Sequence, residues 1–187
     1  MFLELFGVIC GFIYLYLEIK HKQGMWLVGL LMAIVYSIVY FKQGVYASMS
    51  FQIYYVIMSI YGFFQWNKDN SPSTNQIYYR SIPTSVLLYS IVIYCAVTVF
   101  MVLVLNKFTQ DPMPFADSSI TVISAIATFW LSKSYREQWL AWLLVNGFTV
   151  IMSFNLHLYP TAVLYSVNAI ASLYGYFHWK IKGEQVR

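Results

Sequence analysis

Apolar residues gather into seven long runs, near 2–19, 25–41, 48–66, 82–105, 116–132, 138–154 and 159–180. As helices rising about 1.5 Å per residue, runs of this length match the roughly 30 Å of hydrocarbon in a bilayer. The pattern therefore predicts seven transmembrane helices. The breaks between them are short, apart from Asn67 to Ser81, whose Asp69-Asn70-Ser71-Pro72-Ser73 reads as a flexible connector. A second break, Thr109-Gln110-Asp111-Pro112-Met113-Pro114, ends the fourth span. The first run has neither a basic start nor a small-residue cleavage site, so it is expected to be retained as a span.

The spans repeat. Shifted by 113 positions, Trp26-Leu27, Leu30-Leu31, Ile38, Phe41, Tyr46, Ile57, Ser59, Tyr61-Gly62, Phe64 and Trp66 recur as Trp139-Leu140, Leu143-Leu144, Ile151, Phe154, Tyr159, Ile170, Ser172, Tyr174-Gly175, Phe177 and Trp179. No gap is needed. These are 13 identities in the 41 positions from Trp26 to Trp66, against roughly 4 expected by chance for so biased a composition. A three-span unit would face the opposite way if copied directly after itself, and the unmatched fourth span restores its orientation. The expected fold is an all-α integral membrane protein of seven helices in a three-plus-one-plus-three arrangement of parallel repeats. Its divisions would be 1–69 for the first three-helix bundle, 70–108 for a cytoplasmic connector plus linking helix, and 109–187 for the second bundle. Parallel repeats of this kind are expected to hold a substrate between them near midplane.

Composition agrees with a membrane setting: 60% of the 187 residues are hydrophobic, 20% aromatic and only 10% charged, too few polar groups to coat a soluble domain of this size. In the seven-span topology Lys20, Lys22, Lys68, Arg80, Lys133, Arg136, Lys180, Lys182 and Arg187 fall on one side, and only Lys42 and Lys107 on the other. That bias places the carboxyl end in the cytoplasm and the amino end outside. The net charge of +4 thereby belongs to flanks suited to anionic lipid headgroups, with no basic stripe to suggest nucleic acid.

Polar residues at membrane depth are the candidates for function, because hydrocarbon tolerates them only where they face a bundle interior or a wet cavity. Trp139, Trp142 and Asn146 share a face of the sixth span at i, i+3 and i+7. Two indoles and an amide suit a flat, cationic ring, with about 0.5–2 kcal/mol per cation–π contact. The competing role is an interfacial anchor for Trp139 and an interhelical hydrogen bond for Asn146. On the third span Gln52, Tyr55 and Ser59 share a face, and the repeat places Tyr165, Asn168 and Ser172 at the equivalent positions of the seventh. Gln52 and Asn168 are expected to touch ligand, and the two serines to allow close helix packing.

Other chemistry finds little support. Glu4 and Asp117, also 113 apart, read mainly as helix caps. His21, His157 and His178 lie near span ends and are too dispersed for a metal set. Cys10 and Cys95 sit in apolar runs as small hydrophobes. Gly62 and Gly175 are isolated, so no phosphate-cradling loop exists. No nucleophile and base, metal or cofactor is implied, and the chain is not expected to be an enzyme. A receptor or scaffold would tolerate seven spans, but amides on the matching faces of both repeats and short loops favour a carrier.

The chain resembles the PnuC-type vitamin transporters, whose fold is similar to full-length SWEET sugar transporters. The resemblance is carried by Glu4 with Gly7 and Gly11, Val45-Tyr46-Ala47-Ser48, Gln52, Ile60-Tyr61-Gly62 with Trp66, Pro114-Phe115 with Asp117-Ser118, and the run Trp139-Leu140-Ala141-Trp142-Leu143-Leu144-Val145-Asn146. It implies substrate contacts at Trp142, Asn146 and Gln52. It also implies facilitated diffusion of nicotinamide riboside, thiamine or riboflavin across a bacterial cytoplasmic membrane, uncoupled from ions or ATP, the cargo being trapped by a cytosolic kinase. Riboside carriers of the family typically place an Asn shortly after the Gly-Leu pair of the second core span, where Met32 follows Gly29-Leu30 here. With Tyr14-Leu15-Tyr16-Leu17-Glu18-Ile19-Lys20 at the start, the likeness points to the thiamine branch. A homo-oligomer is compatible with the sequence.

Overall fold

The computed structural model describes residues 2–43, 46–69, 77–108 and 112–185. Its described residues form α1 (Phe2–Ile19), α2 (Gly24–Gln43), α3 (Tyr46–Asp69), β1 (Ile77–Tyr79), α4 (Thr84–Phe108), α5 (Pro114–Ser132), α6 (Gln138–Asn155), α7 (Tyr159–Lys182) and β2 (Gly183–Gln185). The seven helices fall on the seven apolar runs. Among the described residues Gly24–Lys42, Thr84–Phe108 and Pro114–Ser132 are long and apolar enough to cross a membrane on length and composition alone. Prolines mark the starts: Pro83 precedes α4, Pro114 opens α5 and Pro160 is second in α7. In a first turn the missing N–H costs nothing and the fixed φ is already helical.

Helix ends are closed by left-handed residues. After α1, His21 takes φ 50°; its N–H donates to Glu18 O at 3.0 Å and that of Lys22 to Leu17 O at 2.8 Å, the paired bonds of a Schellman cap. After α6, His157 takes φ 57°, with Phe154 O accepting its N–H at 3.1 Å and Ser153 O that of Leu158 at 2.8 Å. After α5, Ser134 takes φ 57° and Tyr135 N–H reaches Trp130 O at 3.0 Å. The turns following α1 and α5 share three backbone bonds at a spacing of 113, the first being those of Lys22 and Tyr135 just given. Met25 N–H donates to Lys22 O at 3.0 Å and Gln138 N–H to Tyr135 O at 3.2 Å; Trp26 N–H donates to Gln23 O at 3.1 Å and Trp139 N–H to Arg136 O at 3.2 Å.

The chain divides into two compact units, one holding α1–α3, β1 and β2 together with Ser132–Ser134, the other Arg80–Leu131 with Tyr135–Ile181. In the first, Trp26 and Trp66 are almost wholly buried and meet edge to face, centroids 5.5 Å apart at 84°. Trp26 lies against the bare backbone of Gly62, where a Cβ would overlap the indole. The second unit repeats this: Trp139 and Trp179 meet at 5.6 Å and 90°, and a Cβ on Gly175 would come within 2.6 Å of Trp139 Cε2. Between helices in lipid, shape fit and close backbone approach replace the hydrophobic drive available in water. The repeated Trp, Gly and Trp identities are this packing.

Other repeated identities face outward. Leu27, Leu31, Ile38 and Phe41 of α2, and Leu140, Leu144, Ile151 and Phe154 of α6, are all exposed, as expected of lipid-facing positions. The buried residues of α4 are instead polar, Ser90 and Thr98. Trp130 Nε1–H donates to Ser90 Oγ at 3.1 Å, and Tyr94 Oη and Ser119 Oγ are 3.1 Å apart. These bonds seat α4 on α5. The helix expected to stand apart as a linker is therefore grouped with α5–α7.

The expected flexible connector is only partly so. Asn70 to Gln76 lies outside the described residues, but α3 continues to Asp69, and Ile77, Tyr78 and Tyr79 pair in parallel with Gly183, Glu184 and Gln185. Ile77 and Tyr79 are buried. Three consecutive β-favouring apolar residues outweigh the polar residues before them. The break ending α4 lies outside the described residues at Thr109 to Asp111; α5 begins at Pro114 as its sequence suggests.

His21 shows why the turn after α1 holds. Its ring stacks on Trp66 at 3.9 Å and 7°, and Nε2 lies 3.2 Å from Ser134 Oγ. Burial pushes its pKa from 6.5 down to about 3. A folded-state value below the unfolded one means that only the unfolded chain takes up this proton between about pH 6.5 and 3. Stability is therefore present above pH 6.5 and is lost as pH falls, at most about 1.4 kcal/mol per pH unit. His21→Asn, which tolerates positive φ, is expected to flatten the acid limb of a melting-temperature-versus-pH curve in detergent. An unchanged slope would show that other groups govern it. Gly62→Ala and Gly175→Ala are each expected to cost about 1–3 kcal/mol by overpacking the indoles, read as lower melting temperatures of similar size.

Candidate functional site

The residues singled out from sequence lie on α3, α6 and α7. On α6, Asn146 is buried, 6% exposed, and its Nδ2–H donates to Ser172 Oγ of α7 at 3.2 Å. Ser172 in turn donates to Asn168 O at 2.9 Å. The interhelical bond is thus made, and the Asn146 carboxamide is held in one orientation by it. A primary amide has two donors and an acceptor, so one bond leaves capacity for a ligand group.

The two indoles of α6 differ in their surroundings. Trp139 is 1% exposed and is enclosed by Trp179 and Gly175. It is the packing element of its unit, neither an interfacial anchor nor a free stacking surface. Trp142 is half-buried, and its Nε1 is buried with no hydrogen-bond partner among the described residues. The same holds for both amide atoms of the fully buried Gln138 at the start of α6. An unmet buried donor or acceptor of this kind costs about 1–3 kcal/mol.

On α7, Tyr165 and Asn168 are half-buried, and Asn168 is linked through its carbonyl to the Ser172–Asn146 chain. In the first unit, Gln52 and Tyr55 are half-buried and Ser59 is buried on α3. Ser59 Oγ would lie 3.3 Å from a Cβ built on Gly29, and Tyr14 Cε2 3.1 Å. Ser59 and Ser172 thus both serve close helix contacts, as their identity in the two repeats suggests. The Glu4 side chain lies outside the described residues, and Asp117 sits in the first turn of α5, as a cap would. No cluster of three or more potential metal ligands occurs among the described residues.

At the end of the second unit where Arg80 and Arg136 lie, Arg136 N–H donates to Arg80 O at 3.0 Å. Glu137 accepts Ile82 N–H at 3.1 Å and Arg136 Nη2–H at 3.2 Å. The Arg136 guanidinium also covers the Tyr176 ring at 4.9 Å. These contacts anchor the start of α6, and with it the register of Gln138, Trp142 and Asn146. Sequence reasoning did not single out Gln138, although its counterpart under the 113-residue shift is Met25; a polar residue replacing an apolar one between repeats is the signal that marks it.

Apolar helices, three of them long and apolar enough to cross a membrane, with exposed aliphatic faces, define a multi-pass membrane protein. Residues 1–181 match the model of the nicotinamide mononucleotide transporter family, and the chain belongs to this family, that of the PnuC-type transporters. It is similar to the nicotinamide riboside transporter PnuC of Escherichia coli (strain K12), 24% identical over 201 residues, covering 95% of this chain and 84% of that one. It is similar also to the nicotinamide riboside transporter PnuC of Haemophilus influenzae, 27% identical over 182 residues, covering 95% and 78%. The crystal structure of the vitamin B3 transporter PnuC shares the fold with a TM-score of 0.72 at 21% identity, over 96% of this chain and 80% of that one. The chain is a membrane transporter and not an enzyme.

Ser172→Ala would leave the Asn146 Nδ2 donor unmet and is expected to cost about 1–3 kcal/mol, seen as a lower melting temperature in detergent. An unchanged melting temperature would mean that the bond carries no net stability.

Proposed function

We propose that this protein carries nicotinamide riboside by facilitated diffusion. The observation that carries this reading is the match, over 95% of the chain, to relatives named as nicotinamide riboside transporters. The thiamine preference drawn from Met32 and the first span receives no support from those relatives. Its weakness is physical: one missing amide on the second core span is a single polar contact, replaceable from another helix. The aromatic stack itself suits either cationic ring.

Nicotinamide riboside combines a pyridinium cation, a carboxamide and ribose hydroxyls. Trp142 suits the cationic ring through its π face. The oriented Asn146 amide suits the carboxamide or a hydroxyl, with Gln52, Tyr55, Tyr165 and Asn168 as further contacts. Trp139 supports Trp142 and Asn146 by fixing α6 against α7. The reading includes a SWEET-like three-plus-one-plus-three arrangement of parallel repeats, an outside amino end and a cytoplasmic carboxyl end in a bacterial cytoplasmic membrane. Transport needs two conformations of similar energy and no coupling ion; a cytosolic kinase then retains the product.

In liposomes, labelled nicotinamide riboside is expected to equilibrate without an ion gradient or nucleotide, with thiamine and riboflavin competing only weakly. Asn146→Leu is expected to abolish binding while keeping a monodisperse, folded protein. Tight thiamine binding without riboside binding would return the cargo to thiamine. Accumulation above the external concentration in kinase-free vesicles would overturn uncoupled transport.

A further inference from the structure

The duplication supplies an internal control for every polar group in the second unit. Gln138, Trp142 and Asn146 stand at i, i+4 and i+8 on α6, a stripe about 12 Å long. The positions 113 earlier on α2 hold Met25, Gly29 and Ala33. All three are apolar. The local backbone is nevertheless the same, since Met25 N–H and Gln138 N–H make equivalent turn bonds at 3.0 and 3.2 Å. Burial is the same as well, because Met25 and Gln138 are both 0% exposed. A thioether fills this place in one unit and an unbranched amide of similar length in the other. The turn does not require the amide.

Orphaned polar atoms separate in the same way. Trp26 Nε1 and Trp139 Nε1 are both buried and unpartnered among the described residues; that orphan occurs in both halves and belongs to the Trp–Gly packing. Gln138 Nε2, Gln138 Oε1 and Trp142 Nε1 are unpartnered too, and these occur only in the second half. The Glu137 carboxylate, adjacent to Gln138 in the chain, is engaged by Ile82 N–H and Arg136. A donor and an acceptor that the fold leaves unmet, one helical turn from Trp142, match the mixed donor and acceptor groups of a hydroxyl-bearing cargo.

Building on the transport function above, we propose that Gln138 is a cargo-contacting residue: its amide meets the polar portion of the cargo as it passes between the Trp142–Asn146 level and the start of α6. Gln138 belongs to the path and not to the resting contacts at Asn146. Removing it slows passage more than it weakens equilibrium binding.

The test uses the full chain in detergent and in liposomes, with Gln138→Met reproducing Met25 and Gln138→Asn restoring an amide. Expected for Gln138→Met are a dissociation constant for nicotinamide riboside within about threefold of wild type, a melting temperature equal or higher, and equilibration at least tenfold slower. Gln138→Asn should recover part of the rate. A Gln138→Met rate equal to wild type would overturn the proposal, whether or not its melting temperature moves. So would equal slowing by both variants, which marks a packing defect. Wild-type flux of nicotinamide riboside is read separately, and its absence defeats the choice of cargo alone. In that case the same variant-to-wild-type rate ratio is measured with thiamine, which also carries donor and acceptor groups, and the same outcomes decide.

Discussion

Close approach of a tryptophan to a bare glycine backbone is the contact on which each unit depends. In water, burying an indole would itself drive helices together, but in lipid the surrounding tails are as apolar as the ring. What remains is fit. Gly62 and Gly175 provide the absent side chain, Trp26 and Trp139 fill it, and Trp66 and Trp179 close the pair edge to face. The geometry recurs to within 0.1 Å in centroid separation, 5.5 against 5.6 Å. It fixes α2 on α3 in one unit and α6 on α7 in the other, thereby setting which faces remain for lipid and which for polar groups.

Because the packing is duplicated, differences between the halves have meaning. Outward-facing Leu27, Leu31, Ile38 and Phe41 keep their identities at Leu140, Leu144, Ile151 and Phe154. Inside, the stripe on α2 is apolar whereas that on α6 carries Gln138, Trp142 and Asn146. The two copies share their outward aliphatic face and their tryptophan contacts and differ in the polar groups of this stripe. At Asn146 a packing contact and the proposed binding role are compatible: its bond to Ser172 leaves the rest of the amide for the cargo proposed above.

Much of this was legible in the chain. Helix positions follow from apolar runs, because backbone in lipid must satisfy itself within helices. The repeat was visible through identities that later prove to be packing glycines, tryptophans and lipid-facing aliphatics. Asn146 stood out because an amide in hydrocarbon needs a partner. Trp139 was harder, since an indole near a span end looks the same in sequence whether it anchors at a headgroup or fills a core. The strand pairing of Ile77–Tyr79 with Gly183–Gln185 was invisible because it joins segments far apart in sequence, neither with a periodic pattern. The His21–Trp66 stack escaped for the same reason. Cargo choice rested on Met32 and on the likeness of the first span, Tyr14 to Lys20, which is too little to separate two cationic aromatic vitamins.

The parallel pairing of β1 with β2 has a bearing on biogenesis. The first compact unit includes a strand from Gly183–Gln185 and the segment Ser132–Ser134. Its three helices can insert early, yet β1 has its strand partner only once Gly183–Gln185 has left the ribosome. A ribosome stalled within α7 would therefore hold an amino-terminal unit whose β1 still lacks the partner strand that follows α7.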